Sequence, residues 1–441
     1  PARVPRWPER CDASPPRAYP HESLLGEGHR VSGGVKPLDG IRVIEVDSWM
    51  AAPSAGAILA DLGADVVKVE PLGGDAMRGT GRPAKVDGTL KGYDFVFDVD
   101  NRGKRSIAID LASDGGSLIV QRLCVTTDIF LCNLLPHRQE RFGLDPTSLH
   151  AQQPKLVHAT LTGYGTHGPE AWRPGYDVTA FFGRSGLYDS MRETSEGLVP
   201  QARPAQGDHT TGLALVASIL AALRLVDQTG NGQVVEASLF ETAAWTLASD
   251  LGVTAADGAP VRQRSRSQQI TPLTNRYPCG DDRWVVFNMP EAPAFARFCG
   301  AVGLDHLVDD PRFDSVRTRF QNMVELVELI DAALSVKPRD EWGSIFDEHG
   351  LIWGPVRGLH EVVADPQAEA MGLFPAITHP EAGEYRTVRS PIRLRGVDTA
   401  PRAPAPSLGE HSRSVLADAG LALDEINALI ADGSVGDRAP R

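Results

Sequence analysis

The 441-residue sequence is poor in the signatures that usually announce a chemistry. Its five cysteines, Cys11, Cys124, Cys132, Cys279 and Cys299, are scattered, and none forms a Cys-x-x-Cys pair. That excludes a zinc ribbon or a dithiol redox motif, and unpaired thiols in a long chain point to a reducing, cytoplasmic setting. There is no His-Glu-x-x-His and no Gly-x-Ser-x-Gly, so no metal site is expected and a serine hydrolase has no motif to stand on. Gly-x-Gly-x-x-Gly is also missing, which weakens a dinucleotide-dependent redox reading. No apolar run approaches 18 residues without charge, so no membrane span is expected, and the arginines near the N-terminus lack the apolar segment of a secretory signal. Positive charge is in deficit: 44 Lys and Arg against 57 Asp and Glu, a net charge of −13. That argues against nucleic acid as a partner but leaves room for an anionic ligand on a local basic patch or a helix N-terminus.

What is present has the texture of an α/β protein. The length predicts two or three domains. Residues 1–36, rich in Pro, Arg and Gly and without periodicity, read as an extended arm. Ile41–Val46 is β-rich, Pro53 suits the first turn of a helix that Gly63 ends, and Asp65–Glu70 is a second strand. This β-α-β unit implies a parallel sheet with a right-handed crossover. Strands at 105–111, 128–132 and 156–161 and a helix at 114–125 continue the alternation, which places ligands at the C-terminal ends of the strands. The boundaries predicted are a large Rossmann-like domain at 37–240, a linker helix and loop at 241–269, a small α/β domain at 270–360, a return to the large domain at 361–430 and a tail at 431–441.

Three segments carry candidate chemistry. Gln206-Gly207-Asp208-His209-Thr210-Thr211-Gly212 places one carboxylate between a glycine and an apolar helical run. The ordinary role of such an Asp is to cap the helix. The same geometry serves a nucleophile, because a carboxylate with the usual pKa near ~3.9 is ionised at neutral pH, and free helix N–H groups stabilise a developing oxyanion. The loop Asp47–Pro53 follows the first strand, where parallel sheets hold phosphates. Asn101-Arg102-Gly103-Lys104-Arg105 packs three cations before a strand; it is either a solvated turn or a clamp for a polyphosphate, which Arg141 in Glu140–Leu144 could join.

The order and spacing of Pro37–Glu45, Leu62–Pro71, Asn101–Ser106, Glu140–Leu144, Gly163–Gly165, Pro174–Asp177, Gly207–Gly212, Thr229–Gln233, Asp309–Phe313, Gly354–Val356, Ser390–Leu394 and Leu408–His411 resemble the class III CoA-transferase family, a group that also holds the α-methylacyl-CoA racemases. The resemblance runs from about Pro37 to about Leu421. It implies a Rossmann-like large domain with a smaller domain, in an interlocked homodimer. It also implies that Asp208 is the acyl-accepting nucleophile, with Gly207 giving close approach. The positions that match CoA contacts are Trp49, Pro71, Asn101, Arg102, Gly103, Lys104, Asn133, Leu134, Leu135, Arg141, Pro174, Gly175, Tyr176 and Asp177. The implied partners are an acyl-CoA donor and a carboxylic acid acceptor. Coenzyme A is then part of the substrate, and no tightly bound cofactor is expected.

Within the family the fork lies between transfer and racemisation. The racemases carry a His where Tyr176 stands, and a phenol, with an ordinary pKa of about 10, is a poor base at neutral pH. Tyr176 therefore favours transfer of CoA through an aspartyl anhydride and an aspartyl-CoA thioester. A racemase, or a CoA-binding subunit that serves a paired homologue, are the alternatives. Two departures bear on the substrate. The glycine-rich loop of formyl-CoA transferase has no counterpart, since Arg262–Pro272 is polar and basic, and Met50 stands where that enzyme has a glutamine. Formyl and oxalyl groups are therefore not expected, and Trp49 and Met50 point to a less polar acid.

Overall fold

The computed structural model describes residues 35–81, 90–113 and 115–437. Of the predicted arm only Val35 and Lys36 fall among them, and the tail is described to Asp437.

The first half of the chain alternates strand and helix. Strands β1 (Arg42–Val46), β2 (Asp65–Glu70), β3 (Arg105–Ile109), β4 (Ile129–Cys132), β5 (Val157–Thr162) and β6 (Gln233–Ser238) enclose helices α1 (Ala51–Asp61), α2 (Phe95–Asn101), α3 (Gly116–Cys124), α4 (Pro136–Phe142), α5 (Pro146–Gln152), α6 (Leu187–Ser190) and α7 (Gln206–Thr229). A π-helix, Asp177–Arg184, lies between β5 and α6. Helices α8 (Leu239–Thr246) and α9 (Ala248–Asp257) lead out of the domain; the helix expected in the 241–269 linker is thus two helices that meet at Leu247. A three-stranded antiparallel sheet follows, β7 (Thr274–Pro278), β8 (Trp284–Asn288) and β9 (Trp353–Pro355), covered by helices Ala294–Val302, Met323–Leu334 and Arg339–Glu348. A hairpin, β10 (Ala376–His379) with β11 (Gly383–Arg386), precedes the return through helices Ser412–Asp418 and Leu423–Ala431 to β12 (Val435–Gly436).

The main sheet has the order β12-β3-β2-β1-β4-β5-β6. All its pairs are parallel except β12 on β3. The return therefore reaches the sheet edge at Gly436 and not the boundary at 430 read from the sequence. The six parallel strands have the order of a doubly wound dinucleotide-binding sheet, whose strand order reverses beside β1. Both faces are covered, so alternate residues serve two cores. Val43, Leu131 and Val157 pack with Leu59 of α1 and Leu215, Val216 and Ile219 of α7. Ile44, Val67, Ile107 and Phe130 pack with Val120, Leu123, Leu416 and Ile426 on the other face. The small domain has its own core around Phe287, Phe298 and Phe346, with ring centroids 5.0–5.2 Å apart.

Helix α7 bears on the expectation that no segment spans a membrane. It is the one described helix long and apolar enough, by length and composition, to cross a membrane. It packs instead along α1: a Cβ on Gly212 would lie 2.1 Å from Ser54 Oγ and 2.7 Å from the Ala51 carbonyl. Its small residues place two helices in close contact, the work of a core helix.

Candidate active site

The C-terminal ends of β1 to β5 open into one cleft of about 1030 Å³. Five strand ends at ~4.8 Å spacing give it a length of roughly 19 Å, which suits an extended ligand. The loop after β1 supplies Asp47, Ser48, Trp49 and Met50; Pro71 follows β2, and Asn133, Leu134 and Leu135 follow β4. Pro174, Gly175, Tyr176 and Asp177 form another wall, and Asp208 and Leu239 close the end.

The β1 loop is held from three sides. Asn133 Nδ2 donates to the Ser48 carbonyl at 2.8 Å, the Trp49 amide donates to Asp75 Oδ1 at 3.1 Å, and the rings of Trp49 and Tyr176 meet edge-to-face at 5.5 Å. Trp49 has φ 70°, and Ala205, just before α7, has φ 80°. Left-handed backbone is unfavourable for residues with a Cβ. Two of the three such residues among the described ones therefore border the cleft, where strain is held by surrounding contacts.

Helix α7 begins at Gln206, so Asp208 stands in its first turn and is not the cap. The ordinary capping role is thereby excluded: Ala205 occupies the cap position and has no side-chain bond. Gly207 is required, because a Cβ there would lie 2.5 Å from Phe181 and 2.9 Å from Asp177 Cβ. That close approach sets Asp177 beside Asp208. Burial, then Asp177, then Asp100 raise the pKa of Asp208 to about 7, against the lowering influence of His209. The nucleophile candidate is thus a hindered acid near neutrality and not the freely ionised carboxylate expected from its residue type. Asp177 is itself raised by burial, although backbone amides of Ala205, Val178 and Gly207 oppose this, and its Oδ2 has no partner among the described residues.

Beneath the β1 loop lies a buried ion cluster that sequence reasoning missed. Glu45 and Lys68 are register partners on β1 and β2. Lys68 Nζ lies 2.8 Å from Asp47, 3.0 Å from Asp75 and 3.4 Å from Glu45, and Lys104 Nζ lies 2.6 Å from Glu45. Burial opposes the charge on Lys68, but Asp47, Glu45 and Asp75 outweigh it and hold the ammonium protonated. Burial and Glu45 raise Asp47 to about 7.

The cation cluster before β3 does not form a clamp. Arg102 is bound to Asp61 at 2.8 Å, and Lys104 bonds Glu45, the Pro53 carbonyl and Asn101 Oδ1, with Asn101, Arg102 and Lys104 buried; the third cation, Arg105, pairs with Asp65 and Asp418 at the surface. Gly103 serves the turn with φ 74°. Arg102 and Lys104 are consumed by internal carboxylates because strands β1 and β2 place Glu45 and Lys68 inside the sheet and the charge must be balanced there. Arg141 is exposed on α4 with its guanidinium 5.4 Å from the Phe142 ring. Arg138, one turn earlier on α4, lines the cleft in its place. The signal was its spacing of three from Arg141, which puts both on one helix face.

A family model described as CoA-transferase family III matches residues 38–412. The chain belongs to CoA-transferase family III. It is 31% identical to the (R)-2-hydroxy-4-methylpentanoate CoA-transferase of Clostridioides difficile over 88% of this chain and 97% of that protein. It is 32% identical to a succinate–glutarate CoA-transferase of Agrobacterium fabrum over 87% and 95% of the two chains. The crystal structure of a CAIB/BAIF family protein from Brucella suis superposes with a TM-score of 0.78 at 29% identity, covering 87% of this chain and 99% of that one. The chain is thus a family III CoA-transferase with a mixed α/β fold and a large, mostly parallel sheet, and coenzyme A enters as part of its substrate.

Proposed function

We propose that the protein transfers CoA from an acyl-CoA to a carboxylic acid with Asp208 as the covalent nucleophile. The observation that carries the reading is the placement of Asp208 in the first turn of α7, at the end of a cleft formed by five strand ends. An Asp208 carboxylate oxygen attacks the donor thioester carbon; the C–S bond breaks and CoA leaves as thiolate, giving an acyl-aspartyl anhydride. The thiolate then attacks the aspartyl carbonyl and releases the donor acid, giving an aspartyl-CoA thioester. The acceptor carboxylate attacks that thioester, forming a second anhydride, and the thiolate takes the acceptor acyl group and frees Asp208. No net proton is consumed, so Asp208 must enter as its anion. Splitting one exchange into four displacements lowers each barrier.

The cleft also supports a substrate class. Among the described residues lining it, Arg138 is the one cation, against Asp47, Glu70, Asp110, Asp177 and Asp208. Arg138 on α4 is suited to a CoA phosphate. Trp49, Met50, Tyr176, Val178, Pro204 and Leu239 give the remaining walls an apolar character. A second carboxylate on the acid would lack a cation and meet Asp177. An apolar monocarboxylic acid is therefore the favoured acceptor. Acyl-CoA donors screened against 4-methylpentanoate, cinnamate, succinate and glutarate, with CoA products read by mass spectrometry, test this. Monocarboxylates should be converted at least ~10-fold faster, the value of about 1.4 kcal/mol of differential binding. Preferred conversion of succinate or glutarate would overturn the assignment.

We further propose a cytoplasmic homodimer. Helix α9 buries none of its residues within the chain, and Trp245, Leu251 and Val253 on α8–α9 are exposed. Such a face wants a covering surface, and a second copy supplies one. Light scattering should give about twice the 47.4 kDa chain mass; an active monomer would contradict it.

A further inference from the structure

The reaction above gives no task to His209, yet His209 is held in a specific place. It follows Asp208 in α7, and its Nε2 lies 3.0 Å from Oδ1 of Asp100, a buried carboxylate in the last turn of α2. The His209 side chain is 44% exposed, so it does not fill the core. Asp100 Oδ2 has no hydrogen-bond partner among the described residues. A buried carboxylate with one imidazole as its side-chain partner is compensated only when that imidazole carries a proton.

The charges around the nucleophile give this pair a consequence. Asp208 faces Asp177 from the π-helix, Asp100 from α2 and His209 from its own helix. His209 faces Asp100, Asp208 and, from the end of α2, Arg102. Burial and two carboxylates thus work against ionisation of Asp208, and His209 is the group that works for it. Burial and Arg102 oppose a proton on His209, but the bond and charge of Asp100 and the charge of Asp208 outweigh them and raise its pKa.

We propose that His209 is a positioning residue for the nucleophile: clamped as an imidazolium by Asp100, it keeps a positive charge beside the Asp208 carboxylate and so keeps that carboxylate ionised near neutral pH. The inference rests on Asp208 as nucleophile. It predicts a specific pH signature. Below its titration midpoint Asp208 is protonated and cannot attack, so loss of the imidazolium moves the inactive range upward in pH. The effect disappears at alkaline pH, where Asp208 is ionised with or without help.

The test is a direct titration of the full chain labelled with carboxyl-¹³C aspartate, with the Asp208 resonance assigned by its loss in Asp208→Asn. His209→Gln and the shorter His209→Asn should both raise the Asp208 midpoint by about one unit, a tenfold loss of anion below it. Adding Asp100→Asn to His209→Gln should move the midpoint back down, because Asp100 then acts only as a repelling charge. Cooperative thermal unfolding well above the titration temperature shows that the variants remain folded. A midpoint in both His209 variants within about 0.2 units of the parent would overturn the proposal. Retained CoA exchange in Asp208→Asn would instead remove the nucleophile reading, and the two failures are therefore separate.

Discussion

The cleft end of the large domain and the core of the small domain are built on opposite terms. Around Phe287, Phe298, Phe346 and Trp342 the small domain is apolar and close-packed, and Trp342 and Phe346 stack with planes 8° apart. At the cleft, Trp49 and Ala205 hold left-handed backbone, Asp47 and Asp177 each keep an oxygen without a partner among the described residues, and Asp208 is a carboxylate hindered by burial. One region is optimised for burial; the other carries strain and buried charge that the rest of the fold supports. The lesson is that stability and chemistry are separable in this chain, and substitutions should divide accordingly.

The sharpest division concerns Asp208 and Phe346. Asp208→Ala should reduce CoA exchange by at least ~10³-fold, as loss of a covalent nucleophile does. Asp208→Asn should leave the fold intact and raise the melting temperature by a few degrees at pH 8, with little change at pH 4. The sign follows from a folded-state pKa raised to about 7: the ionised form costs stability in the folded chain, and this cost grows as pH rises from the unfolded pKa through the folded one. Phe346→Ala should do the reverse, costing about 3–5 kcal/mol in denaturant titration while the folded fraction keeps its activity. Substrate turnover by Asp208→Ala, or a dead but stable Phe346→Ala, would break the division.

Lys68→Met probes the buried charge on the cleft side. It leaves Glu45, Asp47 and Asp75 with Lys104 as the nearest cation. The expected cost is about 3 kcal/mol at pH 8, where the carboxylates are ionised. The cost should shrink toward pH 5, because burial and Glu45 already raise Asp47 to about 7 and protonation relieves the excess charge. A loss independent of pH would mean that packing, not charge, is at stake. The smallest effect is at Ala205. Replacement by Gly removes the left-handed penalty of about 1–2 kcal/mol and adds about 0.5–1 kcal/mol of chain entropy cost. Chemical denaturation should therefore show a slight gain.

Much of the fold is legible in the residues. The β-rich runs at 42–46, 65–70 and 157–162 are rich in Val, Ile, Leu and Ala and buried almost throughout, as strands covered on both faces must be, although Glu45 and Lys68 carry charge inside them. The short β12 escapes notice because two residues carry no periodicity; only its pairing with β3 makes it a strand. At the site, Trp49, Pro71, Asn133–Leu135, Pro174–Asp177 and Asp208 do meet in one cleft. Asn101–Lys104 misleads because charge runs look exposed in a sequence, whereas Glu45 and Asp61 draw these cations inside. Asp208 misleads in the other direction. Its residue type suggests an anion, and only its burial, with Asp177 and Asp100 nearby, reveals an acid near neutrality. Long-range electrostatics of this kind has no local signal.

The decisive measurement is capture of the covalent intermediate. The protein is incubated with an acyl-CoA donor identified in the screen, hydroxylamine is added during turnover, and the digest is read by peptide mass spectrometry. Activity should be lost in step with appearance of a hydroxamate at residue 208, and the modification should be absent without donor. Turnover that continues with Asp208 unmodified, or a hydroxamate on another carboxylate, would contradict a reaction that passes through Asp208.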